Sequence, residues 1–97
     1  MGPSAEFTPD PDIALRPSPE VISKRLDEAT VLVHIPTNRI FELNETGTRV
    51  WELLGQGLDT DTIVSFLVEE FDVDKARASN EVNDLLIQLR TKDLLVR

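Results

Sequence analysis

The stretch that most constrains the fold is residues 39 to 54, because its hydrophobic period changes partway along. Arg39, Phe41 and Leu43 alternate with Ile40 and Glu42, the period of two expected of a strand with one buried face. Val50, Trp51 and Leu54 then recur at spacings of one, three and four, which puts them on one helical stripe. Asn44 stands at the change, and its side-chain oxygen can accept from the free amides that open a helix. A strand that runs straight into an amphipathic helix obliges sheet and helix to share one apolar layer. The flanking segments are then elements that pack on this junction.

Upstream, Val21 to Leu26 reads as a first strand, Asp27-Glu28 as a tight turn, and Thr30 to Ile35, rich in β-branched residues, as a second strand. Pro36 ends that strand, and Asn38 tolerates the left-handed backbone of the next turn. Arg39 to Leu43 is the third strand. Connections this short make an antiparallel meander, with strand three at an edge if the order is sequential. Downstream, the spacing predicts a first helix over Glu45 to Leu54, closed by Gly55 and Gly57. A second helix runs from Thr60 to Glu70, with Asp59 as N-cap and Leu58 stapled onto Ile63. Its stripe is Ile63, Phe66, Leu67 and Phe71. The third runs from Lys75 to Lys92 with Asp74 as cap, and its stripe is Ala78, Val82, Leu85, Leu86 and Leu89. Leu94 to Val96 reads as a short closing strand.

Residues 1 to 19 read as a disordered arm, since Pro3, Pro9, Pro11, Pro17 and Pro19 deny it helix and ladder bonds. Met1 to Phe7 reads in part as a cloning scar. Ile13 and Leu15 are the residues able to anchor the arm on the core. Residues 20 to 97 are then one α+β domain, a three-stranded antiparallel sheet followed by three helices, winged helix-turn-helix-like in outline.

Bulk properties narrow the chemistry. A chain of 97 residues buries one small core and leaves no room for an enclosed active-site cavity of ordinary enzyme size. The net charge of −8, from ten basic and eighteen acidic residues, argues against nucleic acid, whose binding depends on neutralising phosphates. An acidic surface fits a basic partner better. The absence of cysteine excludes disulfides, thiolate nucleophiles and the common structural zinc sites. No apolar run approaches the ~20 residues that span a bilayer, and Met1 to Leu15 lacks the pattern of a signal peptide. The expected location is the cytoplasm, without membrane contact.

Catalytic constellations are hard to build from these residues. His34, the sole histidine, lies in an apolar strand and reads as a packed or rim residue. Ser65 and Ser79 sit in nothing like a nucleophile elbow. Gly55-Gln56-Gly57 is too short for a phosphate loop and lacks a lysine. The carboxylates at 59, 61, 69, 70, 72 and 74 miss the spacing and the glycine of an EF-hand loop, and read as a solvated face on which Asp59 and Asp74 cap helices. Trp51 reads as core filling. Neither a cofactor nor a metal is expected, and the chain does not read as an enzyme.

Strand three is harder to dismiss. As an edge it offers unpaired N–H and C=O groups, which soluble proteins usually protect. Phe41 and Leu43 face the bundle beside it, and Leu85 lies on the flank of the third helix's stripe, next to Glu81 and Gln88. A backbone wall and a helix wall make a groove suited to an extended peptide. A winged-helix outline also raises DNA binding. The third helix then ought to be basic, yet Glu81, Asp84 and Asp93 offset Lys75, Arg77, Arg90 and Lys92.

The run Ile40-Phe41-Glu42-Leu43-Asn44-Glu45-Thr46-Gly47, followed by Val50-Trp51-Glu52-Leu53-Leu54, resembles the core of the PqqD-like proteins. Gly57, Ile63, Leu67 and Phe71 continue the likeness, then Val82, Leu85, Leu86, Leu89, Leu94 and Leu95, over about residues 20 to 96. The resemblance implies a winged helix-turn-helix RiPP recognition element. Such a domain binds the leader of a ribosomally made precursor peptide and presents it to modifying enzymes, the leader adding as a strand beside strand three and against helix three. It implies Asn38, Arg39, Ile40, Phe41, Glu42 and Leu43 as the strand wall, and Glu81, Asp84, Leu85, Gln88 and Leu89 as the helix wall. The Tyr pair common in the family before Leu-Asn is Ile40-Phe41 here, so any hydroxyl contact from those rings is lost. A lasso-peptide leader-binding protein that works with a separate leader peptidase is the favoured reading. The alternative is a chaperone of pyrroloquinoline quinone assembly, whose partner is a radical SAM enzyme.

Overall fold

In the computed structural model, which describes residues 15–96, the change of period at Asn44 is a strand-to-helix junction. The elements are β1 (Arg16–Pro17), β2 (Val21–Leu26), β3 (Ala29–His34), β4 (Arg39–Leu43), α1 (Glu45–Gly55), α2 (Thr60–Phe71), α3 (Lys75–Thr91) and β5 (Leu95–Val96). The three-stranded sheet has the order β2-β3-β4, antiparallel throughout. The fold is therefore α+β, a small antiparallel sheet followed by three helices. The second strand begins and ends one residue earlier than expected, at Ala29 and His34. The two-residue turn Asp27-Glu28, with Asp27 at φ 55, lets Leu26 pair directly with Ala29.

Each helix starts at an Asn or Asp acceptor. Asn44 Oδ1 accepts from Gly47 N–H, Asp59 Oδ1 from Thr62 N–H and Asp74 Oδ1 from Arg77 N–H, at 2.8, 2.8 and 2.7 Å. The hydrogen bonds from Thr62 hold the Asp59 carboxyl below the usual aspartate range. At the end of α1, Leu58 N–H donates to the Leu53 carbonyl and Gly57 N–H to that of Leu54. That pairing is a Schellman close, and it needs a left-handed residue, which Gly57 supplies at φ 82. Gly55 belongs to the helix rather than to its close. Asp93, at φ 59, performs the same turn after α3, where Leu94 N–H reaches the Leu89 carbonyl at 2.9 Å.

The core lies between the sheet and the helices. Leu32, Val50, Ile63, Ala78, Val82 and Leu94 are fully buried in it, and Trp51, 7% exposed, fills it as expected. Thr30, Leu32 and His34 are the buried face of β3, and His34 Nδ1 lies 2.8 Å from Thr37 Oγ1. On the opposite face Ile22, Leu26 and Ile40 remain exposed.

The arm ends sooner than its prolines imply. Residues 15 to 19 are built into the fold, whereas the boundary was expected after residue 19. Arg16 and Pro17 pair antiparallel with Val96 and Leu95. Ser18 is buried and donates its N–H to the Leu94 carbonyl at 3.0 Å. Proline is compatible with so short a strand, where few ladder bonds are needed. Leu15 packs against the core as anticipated; Ile13 and the rest of the expected arm lie outside the described residues.

Candidate functional site

The backbone of β4 determines what its edge can offer. Ile35 N–H donates to the Glu20 carbonyl at 3.0 Å, so the odd-numbered residues of β3 turn their backbone groups toward β2. Hydrogen-bonded pairs alternate along an antiparallel ladder. The even-numbered residues Thr30, Leu32 and His34 therefore bond to Leu43, Phe41 and Arg39, their partners in register. That leaves Ile40 and Glu42 with N–H and C=O pointing away from β3. Among the described residues no strand pairs with β4 on that side. The side chains follow the opposite alternation. Leu43 is buried and Phe41 half-buried against the core, whereas Ile40 is 70% exposed.

The second wall is one flank of α3. Ala78, Val82, Leu86 and Leu89 are its buried stripe. At 100° per residue, positions 81, 85, 88 and 92 lie together beside that stripe. Leu85 is half-buried there against the core, with Glu81, Asp84 and Gln88 exposed around it. Lys92, just past the helix, shows which way this flank faces: its Nζ is 5.9 Å from the centroid of the Phe41 ring. The flank that carries Leu85 is thus the one turned toward β4. A surface depression of 320 Å³ lined by Ile87, Arg90 and Thr91 is on another part of α3 and involves no β4 residue.

The residues expected at the site separate into three groups. Arg39, Ile40, Phe41 and Glu42 on β4 and Glu81, Asp84, Leu85 and Gln88 on α3 are accessible, wholly or in part. Leu43 and Leu89 are 7% and 3% exposed, so they form a floor rather than walls. Asn38 falls outside the strand. It sits in the turn at φ 57, and its N–H already donates to the Ile35 carbonyl at 3.3 Å. Lys92 is the residue missed. Its helical spacing from Leu85 and Gln88 was the available signal, but its contact with Phe41 is long-range.

Electrostatically the site is divided. Arg77 Nε and Glu81 Oε2 form an exposed ion pair at 3.1 Å, whereas Asp84, Lys92 and Arg39 make no ion pair among the described residues. Among the described residues no three histidine, aspartate or glutamate side chains gather as a metal-binding group. No helix among them is long and apolar enough to cross a membrane.

Two solved structures are similar to this chain. One is described as TbiB1 in complex with the TbiA(beta) leader peptide; it is 34% identical, with a TM-score of 0.79, over 82% of this chain and 93% of that one. The other is described as lasso peptide synthetase B1 complexed with the leader peptide. It is 21% identical with a TM-score of 0.79, over 87% of this chain and 99% of that one, a likeness that speaks to the fold. No curated protein matches the sequence. The family model for coenzyme PQQ synthesis protein D matches residues 29–95, from the first residue of β3 into β5. On that match, and on its likeness to TbiB1, the chain belongs to the PqqD family.

Proposed function

We propose that this protein binds the leader segment of a ribosomally synthesised precursor peptide and presents it to the processing enzymes of a lasso-peptide pathway, catalysing no reaction itself. The observation that carries the reading is the open β4 edge, with Ile40 and Glu42 presenting backbone donors and acceptors beside the Leu85 flank of α3. A leader strand added there satisfies those groups. Each hydrogen bond contributes about 0.5–1.5 kcal/mol net, and the leader's inward side chains bury Phe41 and Leu85, with Leu43 and Leu89 beneath. The 34% identical TbiB1, solved with a leader peptide, supports the occupant. We read β2 to β4 and the α2–α3 pair as a winged helix-turn-helix turned to peptide rather than DNA, in keeping with the acidic Glu81 and Asp84 on α3. The partners are the leader and a separate leader peptidase in the cytoplasm, with no nucleic acid and no membrane. The family's role in pyrroloquinoline quinone assembly makes a chaperone for a radical SAM enzyme the second reading.

The test is titration of a labelled leader from the same gene cluster. Binding at low micromolar or tighter is expected. Phe41→Asp and Leu85→Asp should each abolish it while the circular dichroism spectrum stays native. Normal binding by both variants means the groove lies elsewhere. Turnover of the leader by the isolated protein would rule out a purely binding role.

A further inference from the structure

The α3 flank that faces β4 is not electrically uniform. Glu81 is countered by Arg77 in their 3.1 Å pair. Gln88 is neutral. That leaves Asp84, on the outer margin of the flank about 80° round the helix from Lys92, as the free anion and Lys92 as the free cation, each without an ion pair among the described residues. Lys92 stands over Phe41, and Arg39, two residues along β4 on the same face, is a second cation with no ion pair among the described residues. Eight residues of helix separate Asp84 from Lys92, about 12 Å at the α-helical rise. A strand covers 12 Å in about four residues. Four is even, so two residues that far apart in an added strand point their side chains to the same side, toward α3.

We propose that the groove reads charge order, favouring a peptide with a basic residue opposite Asp84 and an acidic residue opposite Lys92, four positions apart. This rests on the reading of the groove as a leader site and adds a selection rule to it. Backbone pairing at Ile40 and Glu42 is indifferent to sequence, and the apolar floor of Leu43 and Leu89 accepts many aliphatic side chains. The two unpaired charges supply what those lack, a difference between one register or direction of the peptide and another. Complementary charges contribute to register in this way more than to raw affinity. Exposed ion pairs are worth about 0.2–1 kcal/mol each. Two attractions in one order against two repulsions in the other amount to about tenfold in Kd.

The experiment uses the labelled leader encoded in this protein's own gene cluster as a host. Lys and Glu are placed four residues apart in both orders at each register of its binding segment. One order in one register should bind about tenfold tighter than its reverse. The gap should shrink in 0.5 M salt, where screening shortens charge interactions to a few ångströms. The double variant Asp84→Lys with Lys92→Asp, both at exposed positions, should reverse the preference. Equal binding of both orders at every register overturns the proposal while leaving the groove standing. So does a preference that survives the double variant. Failure of the unmodified host to bind overturns the groove and the charge rule together.

Discussion

The sheet has two edges, and they are defended differently. On β2 the alternation turns the backbone groups of Val21, Ser23 and Arg25 outward. The first of these is already engaged, since Val21 N–H donates to the Ser18 carbonyl at 3.1 Å. Lys24 and Arg25 add the charges by which natural edge strands resist pairing. Arg25 is also held in place: its side chain reaches Glu52 on α1 and donates to the Asp27 carbonyl. Glu52 in turn pairs with Arg49, which meets Glu70 on α2 in a two-pronged contact at 2.8 Å. The bond to Glu70 raises the Arg49 pKa, so that guanidinium stays charged. On β4 the central residues are Ile40 and Phe41, and no such clamp is present among the described residues. The same sheet order therefore yields one guarded border and one open border, and the difference lies in side chains together with the backbone contact from Ser18.

Leu32 on the central strand supports both borders and is fully buried. Leu32→Ala should cost about 2–5 kcal/mol, read by denaturant unfolding. It should melt in one transition; two separate steps would break the view that both borders belong to one cooperative unit. The contrast is then sharpened by a pair of prolines. Ile40→Pro removes an outward donor that the β3–β4 ladder does not use, and edge strands tolerate proline. We expect up to about tenfold weaker leader binding, from one lost hydrogen bond of at most roughly 1.4 kcal/mol with the protein still folded. Ser23→Pro does the same to the guarded border and should leave binding within about twofold. Equal losses from the two substitutions would erase the distinction.

Smaller effects probe what holds each border. Asn44→Ala removes the acceptor of Gly47 N–H at the point where β4 becomes α1. It should lower stability by about 1 kcal/mol, seen as a lower Tm, and weaken leader binding less than Ile40→Pro does. Arg25→Ala frees the guarded border's clamp. Because Arg25 is 56% exposed, the loss should stay at or below about 0.5 kcal/mol, with unchanged leader affinity by titration. A clear gain of peptide binding at β2 would mean that the clamp, rather than the neighbouring helix, decides which border is used.

Local chemistry was legible from residues alone. The period change at Asn44, the three Asx caps and the left-handed Asn38 all depend on neighbours a few positions away, and each appears where expected. Strand and helix ends moved by about one residue, within the usual fraying of such boundaries. The two-residue β1 was not legible, because Arg16-Pro17 has no strand propensity of its own and exists only through Leu95 and Val96 at the far end of the chain.

The candidate site divides along the same line. The apolar residues of its walls and floor follow from periodicity, since Phe41, Leu43, Leu85 and Leu89 must face the core side of their own elements. Which border of the sheet stays open, which flank of α3 turns toward it, and the placing of Lys92 over Phe41 were decided only by the tertiary structure. Periodicity orients a side chain about its own element's axis. It says nothing of how two elements distant in sequence are set against each other, which depends on packing summed over the whole core.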